Sequence, residues 1–367
     1  MYERVSGIVM KGPRDLQKEV LDRGLCLACG ACVNLCPYID MVAGRAVMIE
    51  PCSLSEGKCY DFCPRTHTDI ATLDRNLFGA CRSDLAIGSN IATLKARATD
   101  KEVVSAAQYG GVVSALTAYA LEKGKIDAAV LSKSADRIRP KPTLARNREE
   151  VLECSGSKYI VCPVVTEVLE AVEKGTEKIG VVGTPCQVTA LRKMQASKQE
   201  TAENNIGIVI GLFCTWALSP QAYNHIRDLA GSFNVTKLDV PPPPEDIFEV
   251  ETEAETVRAP LDSIRKFIMP SCNVCFDMTS EFADISVGTV EGEPSWNTLI
   301  VRTRRGEDLF RRAQEEGVIE TAPLEKEKLD HLYQASLDRK KRALKEMESK
   351  KIAYLTMREE DKSKLIS

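Results

Sequence analysis

KIGVVGTPC (residues 178–186) and NIGIVIGLFC (residues 205–214) are two short apolar runs, and each of them ends at a cysteine. Their length and their content of valine and isoleucine are typical of buried β-strands. Runs with helical spacing surround them, as in VVSALTAYALEKG (112–124), where the final Lys-Gly also marks a helix end. Because strands alternate with helices here, the sequence predicts an α/β core domain with a mixed, mainly parallel sheet.

The composition excludes several classes of protein. The chain has 367 residues, of which 44% are hydrophobic and 28% charged, with a net charge of −4. This balance provides no strongly basic surface, so we expect no nucleic-acid partner. No apolar run is long enough for a membrane span, and MYERVSGIVMKGPRD (1–15) lacks the apolar segment of a signal peptide, so we expect a cytoplasmic protein.

Cysteine usage is the unusual feature of the composition. Seven of the 14 cysteines lie between Cys26 and Cys63, and in a long chain such local clusters indicate metal binding rather than a disulfide framework. The run CLACGACVNLCP (26–37) has the spacing C-x2-C-x2-C-x3-C-P of bacterial ferredoxins. Zinc is disfavoured, since a zinc site does not need four cysteines packed so closely. We predict a small ferredoxin-like α+β iron–sulfur module over residues 1–75, in which metal replaces a large apolar core.

The stretch PCSLSEGKCYDFCPRT (51–66) contains an incomplete second half of a ferredoxin. In two-cluster ferredoxins the fourth cysteine of each run binds the other cluster. By this rule the first 4Fe–4S cluster takes Cys26, Cys29, Cys32 and Cys63. The cysteines that remain for a second cluster are Cys36, Cys52 and Cys59. Its fourth ligand is predicted to be Glu56 or another residue outside the motif, with Cys81 as a candidate. The alternative is that only one cluster exists and Cys36 merely packs.

A second constellation of cysteines is dispersed along the core domain. If the two strands that precede Cys186 and Cys214 are parallel neighbours, the two thiols meet at one edge of the sheet. Cys272 and Cys275 form a C-x2-C pair that can join them. The spacing alone fits zinc and a 4Fe–4S cluster comparably, and the ferredoxin-like module favours iron. A thioredoxin-like dithiol is the other alternative for the pair, although the pair follows Pro270-Ser271 rather than opening a helix after a strand.

AQYGGVVSALTAY (107–119) carries a further signal, because Gly110 and Gly111 open a helix. The free N–H groups and the dipole of a helix start can hold a pyrophosphate. Lys158 can add a positive charge, and the loop formed by Gly183, Thr184 and Pro185 before Cys186 can add further backbone donors. Ordinary turn chemistry explains the two glycines equally well.

The rest of the chain is less informative. VPPPPEDIFEVETEAETVRAPL (240–261) contains four consecutive prolines, which predict an extended surface connection that leads to an edge hairpin. Residues 323–367 are charged and have helical spacing, so we expect a helical C-terminal tail with a solvated face or a docking arm. The predicted division is therefore 1–75, 76–322 and 323–367.

Several segments together resemble the β-subunit family of coenzyme F420-reducing hydrogenase and F420-dependent formate dehydrogenase. They run in order from about residue 85 to residue 315: QYGGVVSALTAYALEKGKIDAAV, GSKYIVCP, VVGTPCQVTALRK, IGLFC, PSCNVCFDMTSEFADISVGTVEG and SWNTLIVRT. The resemblance implies FAD, two or three 4Fe–4S clusters when the N-terminal module is included, and hydride exchange with coenzyme F420 as substrate. FAD suits this role because it exchanges two electrons with a deazaflavin and single electrons with a cluster.

The resemblance also implies site residues and partners. Residues near FAD would be Gly110, Gly111, Ser114 and Lys158, with Asp284 and Gly288 shaping the flavin site. Ligands of the core cluster would be Cys186, Cys214, Cys272 and Cys275. The primary oxidation is expected in a partner subunit of a hydrogenase, formate dehydrogenase or heterodisulfide reductase complex. The alternatives are a flavin-free iron–sulfur adaptor, a relative that uses an acceptor other than F420, and a zinc-stabilised interaction protein.

Overall fold

The computed structural model describes residues 11–197, 205–241 and 245–366. Residues 1–10 of the predicted N-terminal module and prolines 242–244 lie outside this part. Its strands are β1 Ile39–Val42, β2 Arg45–Met48, β3 Thr68–Asp69, β4 Ala92–Ala98, β5 Ala128–Lys133, β6 Lys141–Ala145, β7 Ile179–Gly183, β8 Ile206–Leu212, β9 Val235–Asp239, β10 Ile247–Thr252, β11 Thr256–Pro260, β12 Ile285–Thr289, β13 Asn297–Val301, β14 Ile319–Ala322 and β15 Leu355–Thr356. Its α-helices are α1 Pro13–Leu16, α2 Lys58–Asp61, α3 Ile70–Phe78, α4 Lys101–Ala106, α5 Val112–Glu122, α6 Arg148–Glu153, α7 Val164–Glu173, α8 Pro185–Ala196, α9 Ala222–Ala230, α10 Asp262–Arg265, α11 Arg304–Glu315, α12 Lys326–Ser349 and α13 Glu359–Ile366.

The main sheet contains eight of these strands, in the order β14-β4-β13-β12-β8-β7-β5-β6. Its centre, β12-β8-β7-β5, is parallel, whereas every pairing outside the centre is antiparallel. The prediction of a mixed sheet is confirmed, but the expectation that it is mainly parallel is wrong. Residues 134–140 join β5 to β6 and residues 290–296 join β12 to β13, and both connections are too short for the crossover that a parallel pair requires.

Helices cover both faces of the main sheet. On one face α7 and α8 pack against β7 and β8, with Val168 and Leu191 in contact with the core around Val181. On the other face α5 and α11 pack, with Leu116 and Leu309 buried in the same cluster as the β12 residues. Each face of the sheet therefore has its own apolar layer, which holds the ends of the central strands in fixed positions.

A second sheet contains three antiparallel strands in the order β11-β10-β9. Its β10–β11 hairpin occupies the region where the sequence predicted an edge hairpin, and the hairpin is confirmed. It does not extend the edge of the main sheet, because β9 pairs with β10 instead. The small sheet packs on α9 through an apolar cluster of its own that includes Ile226 and Phe248.

The N-terminal module consists of the β1–β2 hairpin, a π-helix at Gln17–Leu21, and the segment that contains α2, β3 and α3. Its apolar core is completed by residues from outside the module, among them Val274, Met347 and Tyr354. β15 also pairs with β3 in parallel. The small apolar core that the sequence indicated is thus shared with the C-terminal segment.

The C-terminal segment is helical, as predicted, but its long helix α12 is not simply a solvated face. Ser336, Lys340, Ala343 and Met347 are buried, and they follow the helical spacing of one continuous stripe. The charged residues that dominate the sequence cover the opposite side. Among the described residues, no helix is both long and apolar enough to cross a lipid bilayer.

Candidate functional site

The first group of cysteines surrounds a small, mostly apolar cavity in the N-terminal module. Its lining includes Cys26, Cys29, Cys32 and Cys63, the four residues that ligand exchange assigned to the first cluster. The loop between them is tightly folded, since Ala28 and Gly30 both have positive φ angles. A backbone donor already points at one of the sulfurs, because the N–H of Ala46 lies 3.2 Å from Cys26 Sγ.

Electrostatics at this group disfavour free thiolates. Burial raises the pKa of Cys29 and of Cys32 well above the usual value, and the neighbouring cysteines add to the effect. Metal ligands must be deprotonated, so the positive charge of a metal is needed to hold these sulfurs as thiolates. The cavity, the burial and the inward N–H group fit an iron–sulfur cluster.

The second group lies next to the first. Burial raises the pKa of Cys59 to about 11, and the nearby thiols of Cys36 and Cys52 also raise this pKa. Cys36 and Cys52 therefore lie near enough to Cys59 to affect its ionisation. Glu56 is exposed at its surface, and Cys81 lies against α3, where its Sγ is 3.4 Å from Arg75. The fourth ligand of this group stays a prediction.

The third group forms at the carboxyl ends of the central strands. β7 and β8 pair with Gly183 opposite Gly211, and Cys186 and Cys214 each follow three residues later. Cys186 lies in the first turn of α8, whose capping box is formed by Thr184 and Gln187. The expectation that a parallel pair brings these two thiols to one edge is confirmed.

Cys272 and Cys275 complete this third group from a 3-10 helix at Pro270–Val274. Burial raises the pKa of Cys214 well above its usual value, and the other three cysteines of the group add to the shift. Burial would also raise the pKa of Cys275, but the guanidinium groups of Arg65 and Arg339 lower it. One sulfur of the group thus already faces positive charge.

No three His, Cys, Asp or Glu side chains in the described ranges are arranged closely enough to hold a metal ion as they stand. The assignment of clusters to the three cysteine groups therefore remains a prediction, based on spacing, burial and the cavity.

A polar cleft of about 250 Å³ opens elsewhere in the core domain. It is lined by residues 105–108, 155–158 and 236–238, together with Arg137 and Glu251. Lys158 lies in this lining, donates to the carbonyls of Ser155 (2.8 Å) and Gly156 (2.9 Å), and has a pKa lowered by burial to about 8. Lys158, Arg137 and Lys237 bring positive charge to the cleft, where Lys158 also donates to the carbonyl of Cys154 and Lys237 pairs with Asp239 (3.3 Å) and Glu251 (3.4 Å).

The sequence missed Arg137 and Lys237 as site residues. Neither belongs to a motif, and each reaches the cleft only because segments far apart in the chain fold together around it. Lys237 lies on β9, which no local pattern connects with Lys158. Their basic character was visible in the sequence, but their common location was not.

The predicted flavin residues are distributed over different places. Ser114 reaches the cleft lining through a 2.8 Å hydrogen bond between its Oγ and that of Ser155. Gly110 and Gly111 are buried, and a Cβ at Gly110 would meet Asn297. Asn297 Oδ1 also accepts from the N–H of Val112, so it takes one of the free donors at the start of α5.

The remaining predicted residues lie nearer to the third cysteine group or inside the core. Gly183, Thr184 and Pro185 form the turn that leads to Cys186. Asp284 is buried and pairs with Arg192 at 3.0 Å, which gives it a structural contact. Gly288 has no room for a side chain, because a Cβ would overlap the ring of Phe213.

Two aromatic side chains are in contact between the segment of Lys158 and the segment of Cys214, a link that sequence reasoning did not identify. Tyr159 follows Lys158, and its ring centre lies 6.0 Å from that of Trp216. Trp216 is two residues from Cys214, whose Sγ contacts the Trp216 carbonyl at 3.5 Å. The segment that carries Lys158 therefore lies beside the segment that follows Cys214, and the Leu218 N–H donates to the Tyr159 carbonyl at 2.7 Å.

Most of this chain is similar to known proteins. The family described as coenzyme F420 hydrogenase/dehydrogenase, beta subunit, matches the chain in two parts, its N-terminal part at residues 93–169 and its C-terminal part at residues 176–327. The coenzyme F420 hydrogenase subunit beta of Methanosarcina barkeri is 34% identical over 280 residues, which cover 73% of this chain and 94% of that protein. The coenzyme F420-dependent sulfite reductase of Methanocaldococcus jannaschii is 29% identical over 79% of this chain and is covered over 46% of its own length.

A solved structure gives the same answer for the fold. A chain of the F420-reducing [NiFe] hydrogenase complex from Methanosarcina barkeri superposes with a TM-score of 0.67 at 32% identity, covering 72% of this chain and 93% of the other. The two family matches together span more than half of the chain. This chain therefore belongs to the coenzyme F420 hydrogenase/dehydrogenase beta subunit family, whose members are oxidoreductases.

Proposed function

We propose that this chain is an electron-transfer subunit that holds 4Fe–4S clusters and FAD and exchanges hydride with coenzyme F420. The observation that carries the proposal is a cleft with three basic side chains, whose lining segment continues through Tyr159 into backbone pairing with the segment that follows Cys214 of the four-cysteine group. The names of the relatives in hydrogenase and dehydrogenase complexes support the choice of F420 as substrate.

The cysteine groups would each hold one cluster, which exchanges a single electron at a time. The proposed ligands are Cys26, Cys29, Cys32 and Cys63 for the first cluster, Cys36, Cys52, Cys59 and Glu56 for the second, and Cys186, Cys214, Cys272 and Cys275 for the core cluster. None of the twelve proposed ligands except Glu56 is exposed, so the fold would shield the reduced clusters from water.

The cleft would hold FAD, which exchanges two electrons with F420 as a hydride and passes them on singly. Lys158, Arg137 and Lys237 would bind the pyrophosphate, and Ser155 would orient it through its contact with Ser114. The protein's own contribution is to bind and orient, because hydride transfer requires close approach of two rings and no general base.

The partner that completes the reaction is proposed to dock on the N-terminal module. Tyr38 and Ile49 are exposed there and lie side by side, since the N–H of Ile49 donates to the Tyr38 carbonyl. Val42 and Leu54 are also exposed in the same module. A contiguous exposed apolar patch marks a protein interface, and a partner here would sit close to the second cysteine group. Hydrogenase, formate dehydrogenase and heterodisulfide reductase subunits are the proposed partner types.

The test is anaerobic purification of the full chain, followed by measurement of iron, acid-labile sulfide and released flavin. We expect iron and sulfide for two or three clusters, FAD after denaturation, and oxidation of reduced F420 with a viologen dye as acceptor. Iron without flavin would replace the proposal by a flavin-free adaptor, and zinc without sulfide would reject the redox role. Oxidation of hydrogen or formate by the chain alone would contradict the need for a partner subunit.

A further inference from the structure

Arg65 lies between the first cysteine group and the third. It is two residues after Cys63, and its backbone N–H lies 3.4 Å from the Cys63 sulfur. The residue lines the cavity of the first group, and it is only 4% exposed. Its side chain extends to the third group, where Nη2 donates to the carbonyl of Ser271 at 3.1 Å, next to Cys272. One residue therefore contacts both metal-ligand loops.

The guanidinium of Arg65 is held by the C-terminal segment. Nη1 donates to the hydroxyl of Tyr354 at 2.9 Å, and the guanidinium also lies 4.7 Å from the centre of the Tyr354 ring. The same hydroxyl donates to the carbonyl of Val274 at 2.7 Å, inside the loop that carries Cys272 and Cys275. Tyr354 thus fixes the side chain of Arg65 against the third group.

The positive charge of Arg65 has no carboxylate partner within ion-pairing distance in the part of the chain that the structure describes. The neighbours that can become negative are the Tyr354 phenol and the thiols of Cys275 and Cys186. In addition, Nε is buried and makes no well-formed hydrogen bond to another described residue. A buried donor without a full acceptor is costly, so this site is built for a negatively charged group that the thiols would hold.

We propose that Arg65 is an electrostatic bridge between the two clusters: it raises the reduction potential of the core cluster through its guanidinium, and Tyr354 holds it in place. The inference rests on the proposed function, since it requires iron–sulfur clusters at both groups. Hydrogen bonds to the sulfurs and nearby charge are the main protein influences on cluster potential. A fixed cation stabilises the additional negative charge of the reduced core cluster. It therefore favours transfer of a single electron from the first cluster to the core cluster.

Two variants of the full chain test this role, with a third as a matched control. Arg65→Gln removes the charge, and Tyr354→Phe keeps the ring but removes the hydroxyl that anchors the guanidinium. Arg97→Gln removes a cation from a partly exposed ion pair with Glu320 on the main sheet, outside the three cysteine groups. Midpoint potentials are measured by potentiometric titration followed by electron paramagnetic resonance, with iron and sulfide content as the measure of assembly. A Cys214→Ser variant identifies the signal of the core cluster.

The expected result is a negative shift in the midpoint potential of the core cluster in Arg65→Gln, a smaller shift in the same direction in Tyr354→Phe, and no shift in Arg97→Gln. If Arg65→Gln does not assemble its clusters, Tyr354→Phe decides, because it leaves the charge and the ring in place. If both variants contain their full iron and sulfide but their midpoint potentials are unchanged, the role of Arg65 is overturned while the proposed function stands. Wild-type protein without iron–sulfur clusters overturns the proposed function and, with it, this inference.

Discussion

Replacement of Lys340 by methionine should strongly destabilise the packing of α12 against the core, although the charged sequence of this helix suggests that it is exposed. Lys340 is 0% exposed, and its ammonium pairs with Glu281, which also pairs with Arg82. Arg82 in turn donates to both oxygens of Asp74 at 2.8 Å. The buried charges of this network are Arg82, Arg302 and Lys340 on the positive side and Asp74, Asp277 and Glu281 on the negative side.

The expected loss follows from this balance of charge. Methionine preserves most of the volume of the lysine stem, so the dominant change is removal of one buried positive charge, which leaves Glu281 insufficiently compensated. Removal of one partner from a buried ion pair costs about 3–5 kcal/mol. If Glu281 is also changed to Gln, the network is balanced again with two charges of each sign, and most of the loss should be recovered.

Amide hydrogen exchange measured by mass spectrometry reports the opening of α12 directly. At about 1.4 kcal/mol for each factor of ten, exchange in α12 should accelerate by roughly 10²- to 4 × 10³-fold in Lys340→Met, provided that local opening is the route of exchange. Lys350→Met is the control, because Lys350 forms an exposed i,i+4 pair with Glu346 that contributes about 0.3–0.5 kcal/mol. Equal exchange rates in the Lys340 and Lys350 variants would refute the reasoning, as would a double variant no better than the single one.

Glu281 gives this network a pH dependence at low pH, whereas Asp277, whose pKa is raised by burial to about 6, acts in the opposite sense at higher pH. Burial alone would raise the pKa of Glu281, but Lys340 and Arg82 lower it below its ordinary value of 4.5. A group with a lowered folded-state pKa stabilises the fold above its unfolded value and loses this contribution as the pH falls through the folded value. Exchange in α12 should therefore accelerate, after correction for the intrinsic rate, as the pH falls below about 4.5.

Three further predictions concern the cleft, the core and the second cysteine group. Flavin should be released as the pH rises through about 8, where Lys158 loses its charge, whereas the Lys158→Arg variant should retain its flavin. Flavin fluorescence after gel filtration measures the release. Equal release from both proteins would argue against Lys158 as the anion-binding group. Gly288→Ala should destabilise the fold by about 1–3 kcal/mol in urea titrations, since its Cβ would overlap the ring of Phe213; an unchanged midpoint would contradict this. Cys59→Ser should lose one cluster's share of iron and sulfide while Cys81→Ser loses none, and equal iron in both variants would count against a second cluster.

Local patterns in the sequence were sufficient for much of the structure. The spacing of apolar residues predicted α5, β7 and β8, because the periods of helices and strands are properties of short segments. The spacing of Cys26, Cys29 and Cys32 indicated a common site for the same reason, and ligand exchange added Cys63, which lines the same cavity. The family resemblance implied that Lys158 lies near FAD, and the structure shows it in the lining of a polar cleft.

Other features depend on contacts between distant segments. The antiparallel flanks of the main sheet arise from the way in which β4 pairs with β13 and β14 pairs with β4, and no local pattern records those pairings. The burial of Lys340 was not visible either, since the charge of a lysine predicts exposure unless its partner is known.

The sequence by itself determined which segments form strands and helices and predicted which residues bind metal, because those properties are encoded over a few residues. Only the tertiary structure decided what stands between the cysteine loops. Arg65 and Tyr354 are 289 positions apart in the chain, yet they meet beside the loop that carries Cys275. Their meeting depends on α12 and β15 packing against the N-terminal module, and such packing is set by the burial of apolar surface across the whole fold.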